Sequence, residues 1–561
     1  MKKNKPDFIE VLVKESSSYQ AIDKLEGLVQ DKNGKEVLQK FPVQPLYLIL
    51  KSRPTEETSS FLPLLSHEQR EVLLNLDLWS KDLLEVKKFE YWVEAYSKCA
   101  DDDIRREFAK SSEFSLFLKG RFNIWTFDVE DPQYPDHDNY FLTDDNLLLF
   151  EYDEDYPYVE EVQLFIRELY AEMGVEKAYS YLFKIVSTSF MHFQEDEYQI
   201  KKGKLDDYGF VDYYDALEYT STFQNIGLID HFINTKKSST GNIDEVGKLQ
   251  ALHQNSVIPY QKGMDNIREE LSKINDSKRL DYLQFNFMRL VNGTLALDNS
   301  LQEGAVAMTR SGEKNKAMLN LGFEYVQNLK EDVLLNFDFK ELYKIGFSLV
   351  QINLKKIKKA LIEYKLEEYE SFLGQEFQSF LDDSFENIPK LRSDSKVDLV
   401  NNLNNYKIWT MRVDFLVNVL PFISSFHRTY LSLIESNKIM DSFYLNYDVV
   451  EIDFEAMILS SFCHFILGNF DNESSNKMGI TIDELREFID LMGNKETYEI
   501  SDIEESIVKF VNKFGMDEIE HITDYIFNIF KGHLEGYEFD GLRFEDYKHI
   551  GGPLILASLK H

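Results

Sequence analysis

Few residues of this chain stand at spacings that chemistry demands. His67-Glu68-Gln69-Arg70-Glu71 begins like a zinc-protease helix, in which two histidines four residues apart hold the metal and the glutamate acts as base. Glu71 stands where the second histidine belongs, so the segment reads as a helix start. Glu518 and His521 make one Glu-x-x-His, where a di-iron bundle needs that motif on two helices. His192 with Glu195, and His521 with Asp524, have the i,i+3 spacing that puts two ligands on one helical face, but isolated pairs of this kind arise by chance. Around Gly479 the chain looks like part of a calcium loop, yet Leu485 falls where the bidentate glutamate belongs. There is no P-loop, no GxGxxG and no Gly-x-Ser-x-Gly elbow. Two cysteines, Cys99 and Cys463, exclude a thiolate zinc site and a disulfide framework and suit a reducing cytosol. No catalytic residue, metal-ligand set or cofactor is implied.

One polar pair stands out by context. Arg289 and Asn292 lie within residues 281–297, where apolar side chains such as Leu283, Phe285, Met288, Val291 and Leu295 cover every face. Such a stretch, too short to span a bilayer, is a buried core helix. A buried arginine needs a partner. That partner is either a carboxylate of the chain or an anionic ligand, and Arg289 with Asn292 is the candidate ligand site.

The elements around this pair set the architecture. Two further helical patterns follow, over about 315–330 (Met318, Leu319, Tyr325, Val326, Leu329) and from Asp338, a plausible N-cap, to 365. Gly322 and Gly346 inside them cost roughly 1 kcal/mol each relative to alanine, which a close crossing of the two helices would offset. Lys355, Lys356, Lys358 and Lys359 form either a solvated face or a docking patch for an acidic partner. Residues 66–69 fit a capping box opening a helix that runs past Trp79, and a second helix over 87–100 pairs with it. Residues 139–152 read as a β-hairpin turning through Asp144-Asp145-Asn146, in a carboxylate-crowded segment, 127–161, that suits solvent, a basic partner or a hard cation. Pro421 is expected to kink or split a helical pattern over 397–435, and His427-Arg428 to lie at the surface.

The expected fold is mainly α, a multi-lobed helical bundle or superhelix with the small acidic hairpin. Its divisions are an N-terminal helical region over 1–126, the acidic insertion over 127–161 and a helical region over 162–235. A linker rich in Ser, Thr, Gly and Asn covers 236–264. The central core over 265–390 follows, then helical regions over 391–470 and, with the tail, 471–561.

Leu62-Pro63-Leu64-Leu65-Ser66-x-Glu68-Gln69 with Leu76-Asp77-Leu78-Trp79-x-Lys81-Asp82, Tyr208-Gly209-Phe210-x-Asp212-Tyr213-Tyr214-x-Ala216-Leu217, and Gly346-Phe347-Ser348-Leu349 together resemble an uncharacterised bacterial family known only as a domain of unknown function. The resemblance covers about 62–361 and implies no catalytic residues. The helix pair at 62–97 is faintly similar to the cytosolic helical domain of magnesium transporters.

Composition narrows the function classes. A 561-residue chain that is 43% hydrophobic builds sizeable cores. Its net charge of −36 repels phosphate backbones and anionic lipid surfaces. The 43 Phe and 31 Tyr, beside frequent Lys, Asn and Ile, suggest a genome-wide base bias, which lowers the value of any single aromatic as a signal. No secretory signal or membrane span is expected. These features point to a cytoplasmic, non-enzymatic scaffold or regulatory protein with protein partners. The alternative is a helical-bundle enzyme or sensor that binds a small anionic ligand near Arg289.

Overall fold

A computed structural model describes residues 33–41, 43–51, 53–236, 265–393, 396–435, 452–469, 479–492, 503–534 and 555. The chain is mainly α-helical, and its strands, among the described residues, form three small antiparallel sheets. It divides into two compact units, Met1–Thr222 with Ile229–Phe347 and Phe223–Leu228 with Ser348–His561.

The first unit is built on aromatic packing. Phe89 stacks on Phe117 at 4.6 Å and Tyr96 on Phe108 at 4.1 Å, within one large cluster of buried side chains. Ser66 caps the helix His67–Leu78 in a full capping box with Gln69. The helix Val86–Ser97 follows and turns Trp92 and Tyr96 inward. Between them the chain makes a two-residue ribbon, Trp79–Ser80 against Leu83–Leu84, with Lys81 at φ 58° in its turn. Strands Tyr140–Leu142 and Leu148–Glu151 pair across a turn with Asn146 at φ 55°. A third strand, Asn123–Thr126, completes this sheet on the other edge of Leu148–Glu151. No alternation announces it, because Asn123-Ile124-Trp125-Thr126 is short and largely exposed.

The apolar-rich stretch beyond residue 281 forms the helix Ser277–Leu297, with Leu283, Met288, Val291 and Leu295 buried. The next helix, Ala305–Gln327, starts about ten residues before the expected one, and Leu329 lies past its end, 47% exposed. Asp338 caps the helix Phe339–Glu363: its carboxylate accepts from Glu341 N at 2.9 Å while Glu341 accepts from Asp338 N at 3.1 Å. A methyl group added at Gly322 would overlap the Leu342 carbonyl, and one at Gly346 would overlap the Met318 carbonyl. The two glycines thus let two helix backbones meet, the close crossing their sequence cost implies.

In the second unit, strands Lys390–Ser393 and Lys396–Leu399 form a hairpin, so the helical pattern assigned to 397–402 is corrected to strand and turn. The helix Leu403–Glu435 then runs unbroken through Pro421. It is not split there, because proline removes only one intrahelical bond and the flanking Val419, Leu420 and Ile423 are fully buried. His427 is buried, with its ring 4.4 Å from Tyr369 and 4.7 Å from Phe372, and not at the surface. Lys356 of the basic run pairs with Asp414. Thr481 and Glu484 form a capping box, and Ile555 is tied down through Ser460 Oγ and Ile480 N. The expected linker after Lys236 and most of the tail lie outside the described residues.

Candidate functional site

The first unit holds a cavity of about 390 Å³. Its walls come from chain segments far apart in sequence. Asn75 and Leu76 stand in the last turn of His67–Leu78, and Trp79, Ser80 and Lys81 belong to the ribbon that follows. The helix Phe190–Asp207 contributes Lys201, Lys202 and Leu205. The connection behind it contributes Phe210, Val211 and Asp212. The helix Ser277–Leu297 contributes Asn292, Leu295 and Ala296, at i, i+3 and i+4 on one face. Gln44 and Gln302 complete the polar part of the wall.

Lys201 is the unusual member. The residue is 8% exposed, and its ammonium has no ion pair among the described residues. Nζ donates to the Lys81 carbonyl at 3.3 Å and sits 5.2 Å from the ring centres of both Trp79 and Tyr198. Burial pushes its pKa down to about 8, against the weaker opposing pull of the Asp212 and Asp82 charges. Asp212 is held in place: it accepts from the Tyr198 hydroxyl at 2.8 Å and caps the short helix Tyr213–Ala216 through Tyr214 N.

Two more polar atoms in residues of this wall are stranded. Asn75 Oδ1 and Trp79 Nε1 are buried and have no hydrogen-bond partner. Each such atom costs about 1–3 kcal/mol. Both atoms are sealed from solvent, so of the polar groups here it is the Lys201 ammonium that stands short of partners at the cavity wall. The wall carries three lysines (Lys81, Lys201, Lys202) against the single carboxylate of Asp212, in a chain of net charge −36. Lys202 is engaged with Asp215 at 3.0 Å, and Lys81 lies 4.5 Å from the Tyr213 ring centre.

The two residues singled out from sequence are placed differently. Asn292 lines the cavity, and its side chain is satisfied: Nδ2 donates to the Gly209 carbonyl at 2.9 Å and Oδ1 accepts from Gln44 at 3.3 Å. Arg289 is outside the wall and forms an ion pair with Asp206. Burial works against its charge, but the bond and the charge of Asp206 outweigh it and hold the guanidinium above its usual value. That ion pair joins Ser277–Leu297 to Phe190–Asp207, the helices carrying Asn292 and Lys201. Lys201, Asn75 and Trp79 were not singled out as site residues in the sequence. Tyr198, Lys201 and Leu205 do share helical i, i+3, i+7 spacing, but an amphipathic surface helix has the same pattern.

Among comparisons with known proteins, the model of a family of unknown function, DUF6178, matches residues 8–401. No curated protein and no solved structure matches. The likeness of 62–97 to magnesium transporters therefore has no counterpart among the matches. Among the described residues no helix is long and apolar enough to cross a membrane.

Proposed function

We propose a function for this chain, which belongs to the DUF6178 family of unknown function, from its cavity: the first unit is a receptor for a small organic acid. The observation that carries this reading is the buried Lys201 ammonium at the cavity wall, which has no ion pair among the described residues. Leaving a charge without a full partner costs stability, and a ligand that supplies one recovers that cost. The ligand's carboxylate meets Lys201, and its carbon skeleton packs on Leu76, Leu205, Phe210 and Leu295. About 390 Å³ lies within the usual range of small-molecule sites, roughly 300–1,000 Å³.

In this reading Arg289 is a positioning residue that ties two walls together through Asp206, and Asn292 shapes the wall. Sequence alone ranked a protein scaffold above a ligand-binding protein; we place the ligand-binding reading first on the strength of the cavity. The test is thermal stabilisation of the full chain by a panel of small hydroxy and dicarboxylic acids, with lactate and succinate as first probes. Stabilisation that disappears in Lys201→Met is the expected result. A panel in which no acid raises the melting temperature overturns the reading.

A further inference from the structure

The same cavity carries a covalent reading, which rests on the acid-receptor function above. We infer that Lys201 is a carbonyl-trapping amine, condensing with the oxo carbon of a small oxo acid to form an imine. An amine that serves only as a point charge is normally placed at the surface or opposite a carboxylate. Lys201 has neither arrangement: it is buried at the cavity wall, held by a single carbonyl bond from Lys81, with aromatic rings of Trp79 and Tyr198 beside it. These are the surroundings that make a lysine nucleophilic, because a desolvated amine gives up its proton near neutral pH. Its pKa of about 8, lowered by burial, agrees with that geometry.

The step balances within the cavity. The Nζ lone pair forms the N–C bond as the carbonyl π pair moves to oxygen. Both protons of the neutral amine pass to that oxygen, and water leaves as the C=N bond forms. Asp212 lines the same wall, and its charge reaches Lys201; we assign it the transfer of the proton from nitrogen to the departing oxygen. Its Tyr198 hydroxyl bond keeps the carboxylate oriented for that task.

The experiment treats the full chain with glyoxylate and cyanoborohydride at neutral pH, which reduces an imine to a stable secondary amine, and maps the modified peptides. The Lys201 peptide is expected to label on the order of a hundredfold faster than those of solvent lysines, since each unit of pKa lowering raises the neutral amine fraction tenfold near pH 7. Lys201→Arg keeps the charge and should lose this label. Even labelling across the surface lysines overturns the inference on the wild-type chain alone, whether or not the variant folds. Lactate, which has no oxo carbon, separates the two readings. If lactate stabilises the chain while glyoxylate leaves Lys201 unlabelled, the imine fails and the acid receptor stands. If no acid of the panel stabilises the chain and Lys201 stays unlabelled, both fail.

Discussion

Two buried charges of the first unit, Asp77 on the helix His67–Leu78 and Lys201 on the helix Phe190–Asp207, have opposite surroundings. Asp77 is 1% exposed and fully engaged: it accepts from the Tyr47 hydroxyl at 2.8 Å, from Trp92 Nε1 at 2.7 Å and from Lys51 at 2.6 Å. Lys201 is nearly as deeply buried, yet among the described residues it has one carbonyl bond and no carboxylate in ion-pairing range. The difference separates a charge that holds the fold together from one left available. A charge enclosed by its own partners has nothing to offer a ligand, whereas an unpaired one beside a cavity does.

The largest expected effect comes from breaking the satisfied site. Asp77→Ala leaves Tyr47, Trp92 and Lys51 without their acceptor, so urea unfolding should show a loss of about 3–5 kcal/mol. A loss below about 1 kcal/mol would remove the contrast between the two charges. Lys201→Met should do the reverse and raise stability near neutral pH by about 1–3 kcal/mol, since it removes a buried, poorly paired cation. The sign of its pH dependence follows from the folded pKa of about 8, below the ordinary 10.5. The folded chain binds the Lys201 proton less tightly than the unfolded chain does. The penalty is therefore full below pH 8, shrinks as pH rises from 8 to 10.5, and is gone above. The advantage of Lys201→Met over wild type should close across that window; an advantage constant with pH would show that Lys201 is not the titrating group. The smallest effect is at Asn75. Asn75→Leu removes a stranded acceptor at similar volume and should be neutral or stabilising by up to about 1 kcal/mol in the melting curve. A clear loss would mean that Asn75 Oδ1 has a partner after all.

Legibility differed between elements for physical reasons. The capping box at Ser66 and the N-cap at Asp338 were readable, because each is closed by residues three apart and needs no distant partner. The crossing of Gly322 on Gly346 was readable as well, since glycine in a helix interior has few uses other than close approach. The hairpin at Lys390–Leu399 was missed because Val397 and Leu399 extend the periodicity of the helix that follows. The split offered at Pro421 does not occur, since a local rule for breaking helices was outweighed by burial along a long helix.

The site was harder to read than the fold. In sequence, Arg289 was conspicuous because its neighbours are apolar; in three dimensions Asp206, 83 residues earlier in the chain, supplies its partner. Lys201 was inconspicuous because the polar surroundings from Glu195 to Asp207 disguise a residue that the fold buries.

By itself the sequence determined the mainly α class, the capped starts at Ser66 and Asp338, the meeting of two glycine-bearing helices and the family. Periodicity and capping are local, and a dozen consecutive residues suffice to express them. Only the tertiary structure decided which charge is satisfied and which is not. Whether a buried lysine finds a carboxylate depends on side chains brought together from segments more than a hundred residues apart, and no local pattern encodes that encounter.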